Sequence, residues 1–264
     1  MIIIIVFLLG AILGSFLNVC IYRIPQEISI VRPGSFCPHC SKSIGALNNI
    51  PVVSYLILKG KCSSCGAPIS WRYPAVEILA ALMTSATLGH FGFSLDGFAF
   101  LVLFYLLIVI AFIDLEQLII PDILLLFCLG AWCLLIFKDP SWLMLYEALV
   151  GSVVFGGFLY LAGLLGKLIF KKESLGFGDV KLGFVLGAFL GWKLVVVSLY
   201  GAFFLAAFVA IGGFITRRVK FGQMIPFGPF LILGSVVAVF FGGIFSNNGF
   251  AVSVKAISSG IFLL

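Results

Sequence analysis

Charged residues are scarce in this 264-residue sequence: Asp, Glu, Lys and Arg together make up 10% of the chain, against about a quarter in an ordinary soluble domain. Hydrophobic residues make up 62%. A soluble fold of this length does not need so much apolar material, so the composition excludes a soluble globular protein. The apolar runs are long and do not alternate with polar residues, which favours membrane helices over a membrane β-barrel.

The first apolar run also lacks two features of a cleavable signal peptide. No basic residue precedes it, and no clear small-x-small cleavage site follows it. We therefore expect residues 2–22 to stay on the protein as a membrane helix.

The apolar pattern predicts an all-α polytopic membrane protein with about eight transmembrane helices. A helix needs about 20 apolar residues to cross the bilayer. The only sizeable polar segment, 23–73, lies between the first two spans, and the short apolar tail, 246–264, has no assigned role. The candidate spans are about 2–22, 74–91, 97–113, 122–137, 144–166, 177–190, 194–215 and 226–245.

The basic residues predict the orientation of the chain. Thirteen of the 16 Lys and Arg residues lie in the connections after the first, fifth and seventh spans, which share one side of the membrane when eight spans alternate. Because basic loops face the cytoplasm, we expect the 23–73 segment in the cytoplasm and the N-terminus outside. The net charge of +6 then reflects topology, and no nucleic-acid partner is expected.

Four of the seven cysteines form two C-x2-C pairs in the 23–73 segment: Cys37 with Cys40, and Cys62 with Cys65 after 21 residues. Two such pairs can hold one zinc ion tetrahedrally, and disulfides are disfavoured in a reducing cytoplasm. The alternative is two metal-free, redox-active dithiol pairs. Because four thiolates leave no position for water, the spacing indicates a structural zinc ion rather than a catalytic one.

Two acidic residues lie where a predicted span meets the cytoplasmic face. Asp114 follows the apolar run FYLLIVIAFI without a break, and Asp179 lies in the glycine-rich stretch SLGFGDVKLG. Ionisable groups at such depth are costly and usually mark a functional site. Asp122 differs from both, because it follows Pro121 and is typical of a helix start.

Two sets of glycines surround Asp179. Gly176 and Gly178 would let another chain approach the backbone closely. Gly183, Gly187 and Gly191 recur every four residues, which predicts a small-residue face for helix packing.

Two aspartates at one membrane face are compatible with two functions. Carboxylates a few ångströms apart cannot both ionise easily, so the pair shares a proton. The ionised member can then activate a water molecule while the protonated member polarises a peptide carbonyl, which amounts to peptide hydrolysis. An ion or proton relay in a transporter also uses buried carboxylates and is the alternative.

The ordered set of motifs resembles the bacterial prepilin peptidases (type IV prepilin leader peptidases with N-methyltransferase activity), which are intramembrane aspartic proteases. The resemblance runs from about residue 10 to about residue 235. It rests on GSFLNVCIYRIP, the two C-x2-C pairs, NNIPVVSYLILKGKC, SWRYPAVE, FIDLEQLIIPD, GFGDVKL and PFGPFL.

The resemblance implies a catalytic pair: one aspartate after the third span, here Asp114, and one in a G-x-G-D motif, here Asp179. The motif residues are Gly176, Phe177 and Gly178, followed by Lys181. It also implies the substrates, type IV prepilins and the pseudopilins of type II secretion, each with a short basic leader before an apolar helix. The cut is expected after a glycine, at the cytoplasmic face of the bacterial inner membrane.

The acidic residues near the predicted site, Glu116, Asp122 and Glu173, would favour a basic leader through a weak, screened attraction.

The resemblance further implies that the new N-terminal amine is methylated with S-adenosylmethionine, because the cysteine-bearing domain accompanies the bifunctional form. The sequence contains no G-x-G loop of the soluble methyltransferase kind. Asn49, Arg72 and Glu77 are the candidates for the methyl-donor site, with local pairing of Arg72 and Glu77 as the alternative.

The predicted division of the chain is a first helix, a methyltransferase-associated zinc domain, a peptidase core and a tail, at 1–22, 23–73, 74–245 and 246–264.

Overall fold

The computed structural model describes residues 2–138, 140–171, 175–217 and 225–242. Within these ranges the chain is helical, apart from connections and two isolated β-bridges, Phe36 with Ser43 and Lys61 with Pro68. The α-helices are α1 (Ile2–Arg23), α2 (Val53–Ile57), α3 (Arg72–Phe91), α4 (Leu95–Gln117), α5 (Asp122–Lys138), α6 (Trp142–Phe170), α7 (Phe177–Ile215) and α8 (Gly228–Phe241).

Four helical stretches among the described residues are long and apolar enough to cross a membrane: Ile2–Gln26, Leu95–Gln117, Trp142–Ile169 and Phe177–Ile215. The helix α8 is also apolar but shorter. The chain is therefore an all-helical membrane protein, which confirms the predicted class. The count of eight spans stays a prediction, and the tail 246–264 lies outside the described residues.

The helices group into two compact units. Among the described residues, the first unit comprises 2–93 and 100–109, and the second comprises 94–99 and those from 110 to 242. Because these units reflect packing, the functional division derived from the sequence stays a prediction.

In the first unit, α1 packs antiparallel against α3 through small residues. A side chain at Gly10 would collide with Ala81 and Thr84, and one at Gly14 would collide with Glu77 and Ala80. One turn further along α1, the buried Asn18 donates a hydrogen bond to the carbonyl of Tyr73 at 3.1 Å. Small residues every four positions let the two backbones approach closely. The hydrogen bond from Asn18 joins the two helices at the end that is predicted to face the cytoplasm.

In the second unit, the predicted small-residue face of α7 packs against α6. A side chain at Gly183 would meet Leu159, and one at Gly187 would meet the backbone of Gly151. The packing role predicted for these two glycines is confirmed.

Gly191 also packs against α6, since a side chain at Gly151 would lie 2.8 Å from the Gly191 Cα, and in addition it breaks α7. Its φ of 63° and ψ of 165° are not helical, and glycine adopts a positive φ without a steric penalty. The chain reverses there: Gly156 of α6 contacts Phe184 before the break, and Phe158 contacts Phe203 after it. The boundary predicted between the sixth and seventh spans, at 190–194, coincides with this break.

The second half of α7, 192–215, packs against α8. The Ser198 and Ser235 hydroxyls are 2.9 Å apart and both are buried. A side chain at Gly234 would collide with the Ser198 carbonyl and with Ala202. The rings of Phe203 and Phe227 lie 5.2 Å apart, so α8 begins at the same end of the unit as α7.

Candidate active site and metal centre

Asp114 lies inside α4, one turn before the end of the helix. The helix ends when Leu118 adopts a left-handed conformation, and the Leu118 N–H donates to the Asp114 carbonyl at 2.9 Å. The Asp114 side chain is 5% exposed. The sequence predicts Asp114 after the third span, at 97–113, whereas α4 continues to Gln117, so that Asp114 lies within the helix.

Asp179 lies in the first turn of α7, where Gly176 is the N-cap residue. An acidic residue in the first turn complements the helix dipole. The Asp179 side chain is 8% exposed, and its Oδ1 atom has no hydrogen-bond partner among the described residues. Buried polar atoms normally have a hydrogen-bond partner, so the Asp179 Oδ1 is available to bind a further group.

The two aspartates meet at Gly228, the first residue of α8. The Gly228 N–H donates to the Asp114 Oδ2 at 3.1 Å. The position that a Gly228 side chain would occupy is 2.7 Å from this oxygen and 3.5 Å from the Asp179 Oδ1. The two oxygens are thus no more than about 6 Å apart, a range in which one carboxylate affects the ionisation of the other.

Both aspartates line one cavity of about 450 Å³. Its walls come from the end of α4, the connection to α5 and the start of α7, and they are formed by Asp114, Leu118, Ile119, Ile120, Asp122, Gly176, Phe177, Gly178, Asp179 and Lys181. Four of these ten residues, Leu118, Ile119, Ile120 and Phe177, have apolar side chains. The arrangement can hold an extended apolar segment beside two carboxylates.

The motif glycines lie at tight contacts rather than at unusual backbone angles. A side chain at Gly178 would lie 3.1 Å from the Ile120 Cβ, and one at Gly176 would lie 3.3 Å from the Asp179 Oδ2. The absence of a side chain at Gly178 thus lets Ile120 of the α4–α5 connection pack against the backbone of α7. Phe177, between the two glycines, is exposed.

Lys181 and Asp122 form an ion pair at the rim of the cavity. The Lys181 Nζ lies 2.8 Å from both Asp122 oxygens and 5.2 Å from the centre of the Phe177 ring. Asp122 opens α5, as predicted for a residue after proline. Its charge is therefore paired within the chain, Glu116 is exposed, and Glu173 lies outside the described residues.

The four predicted metal ligands lie together in the first unit. The sulfur atoms of Cys37, Cys40, Cys62 and Cys65 all lie within 4.8 Å of one another, and the Cys37 and Cys65 sulfurs are 3.9 Å apart. A zinc ion bound tetrahedrally by thiolates at about 2.3 Å separates the sulfurs by roughly 3.8 Å. The observed cluster fits such an ion.

The two halves of the cluster have the same backbone structure, 25 residues apart. The Cys37 N–H donates to the Lys42 carbonyl, and the Cys62 N–H donates to the Ala67 carbonyl. In each half the residue after the second cysteine has a positive φ: 58° at Ser41 and 72° at Gly66. The sequence indicates the positive φ only at Gly66, because the serine at position 41 does not predict one.

One thiol of the cluster, that of Cys62, is also suited to bind a metal, whereas desolvation and contact with the other thiols raise the pKa of Cys65. Hydrogen bonds from the backbone amides of Cys65 and Ser64 lower the pKa of Cys62 to about 6. Metals bind the thiolate form of cysteine, so a lowered pKa favours binding at neutral pH.

The three candidate methyl-donor residues differ in burial. Arg72 and Glu77 are buried near the start of α3, whereas Asn49 is exposed in the connection before α2. The Glu77 carboxylate accepts hydrogen bonds from the Val52 N–H at 2.7 Å and from the Ser15 hydroxyl. Glu77 thus connects α1, α3 and the NNIPV segment, a role that the sequence does not reveal.

Val52, which Glu77 holds, has a strained backbone. Its φ is 61° and its ψ is −48°, and the Val53 N–H donates to the Pro51 carbonyl at 2.6 Å. These features define a classic γ-turn, which is rare and strained, especially for a β-branched residue. Such strain is concentrated at functional sites.

Two residues of the aspartate site have no chemical signal in the sequence. Gly228 carries no functional group, and Ile120 looks like any apolar residue of a connection. The PFGP segment, with prolines on both sides of Gly228, is the one local feature that marks a special backbone position.

Comparisons with known proteins give consistent matches. Residues 8–91 match the Bacterial Peptidase A24 N-terminal domain, and residues 101–211 match the Type IV leader peptidase family. Relatives named "Prepilin leader peptidase/N-methyltransferase" from Aeromonas hydrophila and Pseudomonas aeruginosa are each 36% identical, over 90% and 89% of both chains respectively. A relative of that name from Bacillus subtilis is 36% identical over 90% of this chain and 94% of its own. No solved structure matches the chain significantly.

Proposed function

The chain belongs to the prepilin leader peptidase/N-methyltransferase family and is an enzyme with both activities, and we propose that Asp114 and Asp179 are the residues that cleave the leader. The observation that carries the proposal is the convergence of both buried carboxylates on Gly228, in one cavity. Neither the family nor the cavity favours the transporter alternative.

In the proposed mechanism the aspartate pair holds one proton. The ionised carboxylate removes a proton from a water molecule, whose oxygen attacks the carbonyl carbon of the peptide bond. The protonated carboxyl group gives its proton to the carbonyl oxygen. The C–N bond then breaks as the amine nitrogen takes a proton from the pair and a hydroxyl group of the diol returns one to it. The products are a carboxylic acid and a new N-terminal amine, and the pair again holds one proton.

The proposed substrates are type IV prepilins and pseudopilins, held with the basic leader in water and the apolar helix in lipid. The apolar cavity wall beside the carboxylates supports this placement, because it suits the junction between the two segments. Since Asp122 is paired with Lys181, attraction of the leader by Asp122 contributes little in the observed arrangement.

We place the protein in the bacterial inner membrane, with the N-terminus outside and the aspartates at the cytoplasmic face. The distribution of Lys and Arg supports this orientation, and eight spans would result if the two halves of α7 each cross. Asp114, at the end of α4, and Asp179, at the start of α7, then lie at the same depth.

The proposed methyl-donor site comprises Asn49, Arg72 and Glu77. A buried carboxylate suits a cationic donor, and the strained turn at Val52 supports a functional role for the segment that Glu77 holds. S-adenosylmethionine would supply the methyl group when bound. The four cysteines would hold a structural zinc ion that orders the connection between α1 and α3.

The test is mass spectrometry of a synthetic prepilin incubated with the purified protein and S-adenosylmethionine. Asp114→Asn and Asp179→Asn should each reduce leader removal at least about 100-fold, the usual loss for a general acid or base, and the double variant should be no worse than either single variant. Methylation of a precleaved substrate should persist. Asp96→Asn, at the other end of α4, is the matched control, and near-normal cleavage by either active-site variant would refute the assignment.

A further inference from the structure

We infer that Gly228 is a positioning residue of the peptidase site, an inference that rests on the proposed roles of Asp114 and Asp179. Its N–H group orients the Asp114 carboxylate, and its missing side chain keeps the space between the two carboxylates open for the peptide bond. The family's two-aspartate chemistry does not by itself require a third residue.

The first argument is the hydrogen bond. The Gly228 N–H reaches the Asp114 Oδ2 at 3.1 Å from the first turn of α8, where backbone N–H groups have no partner within the helix. The start of α8 is held by hydrogen bonds from the Phe230 and Leu231 amides to the Phe227 carbonyl. A rigid helix start therefore holds one carboxylate in a defined orientation.

The second argument is the space at Gly228. A side-chain carbon there would lie 2.7 Å from the Asp114 Oδ2, closer than real Cβ contacts allow, and 3.5 Å from the Asp179 Oδ1. The Asp179 Oδ1 is also the buried oxygen without a hydrogen-bond partner among the described residues. The volume that glycine leaves free is thus bounded by both carboxylates, where a peptide carbonyl or a water molecule has to be held.

The third argument is that a left-handed backbone does not explain the glycine, because Gly228 has no positive φ. Glycine also relieves the crowding of a helical residue that precedes proline, here Pro229. The contact with the Asp114 carboxylate is separated from this backbone effect by the variants below.

The kinetic test compares Gly228→Ala with Gly212→Ala. The control site lies in α7, and a side chain there meets nothing within 4 Å. Gly228→Ala should lower kcat for leader removal at least tenfold, leave KM within twofold and shift the pH–rate profile. Gly212→Ala should change none of these, and methylation of a precleaved substrate should persist in both. Unchanged kcat and pH profile in Gly228→Ala would overturn the inference.

A stability test covers the case in which Gly228→Ala folds poorly, including any clash with Pro229. Gly228→Ala is made alone and with Asp114→Ala, which removes the colliding carboxylate. The fall in thermal midpoint caused by Gly228→Ala should shrink by at least half in the Asp114→Ala protein, because interacting sites are not additive. Equal falls in both proteins would overturn the inference.

The Asp114→Asn and Asp179→Asn variants separate the two claims. If either cleaves normally, the proposed function fails. If both are inactive while Gly228→Ala cleaves normally, only the role of Gly228 fails.

Discussion

The connection between α1 and α3 should be ordered by its metal ion rather than by a hydrophobic core. Among residues 24–71 only Cys37 and Ser54 are buried, and one of these is a proposed ligand. Burial of a single side chain contributes about 1.5–3 kcal/mol at most, whereas a structural zinc ion contributes about 10–16 kcal/mol at pH 7. Removal of the metal should therefore unfold this connection while the membrane helices persist.

Limited trypsin digestion of the zinc-loaded protein in detergent tests this reasoning. Arg32, Lys42, Lys59 and Lys61 all lie in the connection. A chelator should accelerate cleavage there at least about 100-fold, because a loss of only 2.7 kcal/mol already changes an equilibrium by that factor. Cys37→Ser should be cleaved rapidly without chelator, and Cys133→Ser, an exposed cysteine of α5, should behave as the parent protein.

The reasoning about the metal would be refuted if cleavage of the connection were equally slow with and without bound zinc. Such a result would mean that the hydrogen bonds of the two cysteine turns, with those from the Arg23 guanidinium to the Ser29 and Gly34 carbonyls, are sufficient to order it.

Three further predictions concern other parts of the molecule. Replacement of Gly187 by Val should destabilise the α6–α7 contact by about 1–3 kcal/mol, because the valine side chain would collide with the Gly151 backbone. The measurement is the thermal midpoint, which should fall, and an unchanged midpoint would contradict this packing. Asp122→Asn should change stability by less than about 1 kcal/mol, since the ion pair with Lys181 is exposed, and a larger loss in chemical denaturation would show that the pair closes the cavity rim. In metal-free protein, the rate at which Cys62 reacts with iodoacetamide should level off above pH 6 and fall about tenfold per pH unit below it, because its pKa is about 6 and only the thiolate reacts. A rate that keeps rising about tenfold per pH unit above pH 7, read by peptide mass spectrometry, would exclude a lowered pKa.

The sequence predicted those features that depend on composition and spacing. The scarcity of charge indicated a helical membrane protein, and the paired C-x2-C spacing predicted the cluster that brings four sulfurs within 4.8 Å. Gly183 and Gly187 were predicted to face a neighbouring helix, and both do. These features are local or periodic, so a single stretch of chain contains the whole signal.

The break at Gly191 shows what such local patterns do not predict. The sequence predicts a boundary near it, but not that one glycine with a positive φ reverses the chain without an intervening loop. The reversal depends on the contacts that both halves of α7 make with α6, and these contacts join residues far apart in the sequence.

By itself, then, the sequence determined the class of protein, the four cysteines that cluster and the identity of two acidic residues in apolar surroundings. Only the tertiary structure decided that Asp114 and Asp179 meet, and that they do so at Gly228, a residue 114 positions after Asp114. The physical reason is that a carboxylate is recognisable by its chemistry in the sequence. Every glycine has an N–H group and lacks a side chain, and these features serve the site only because folding places them between two carboxyl groups.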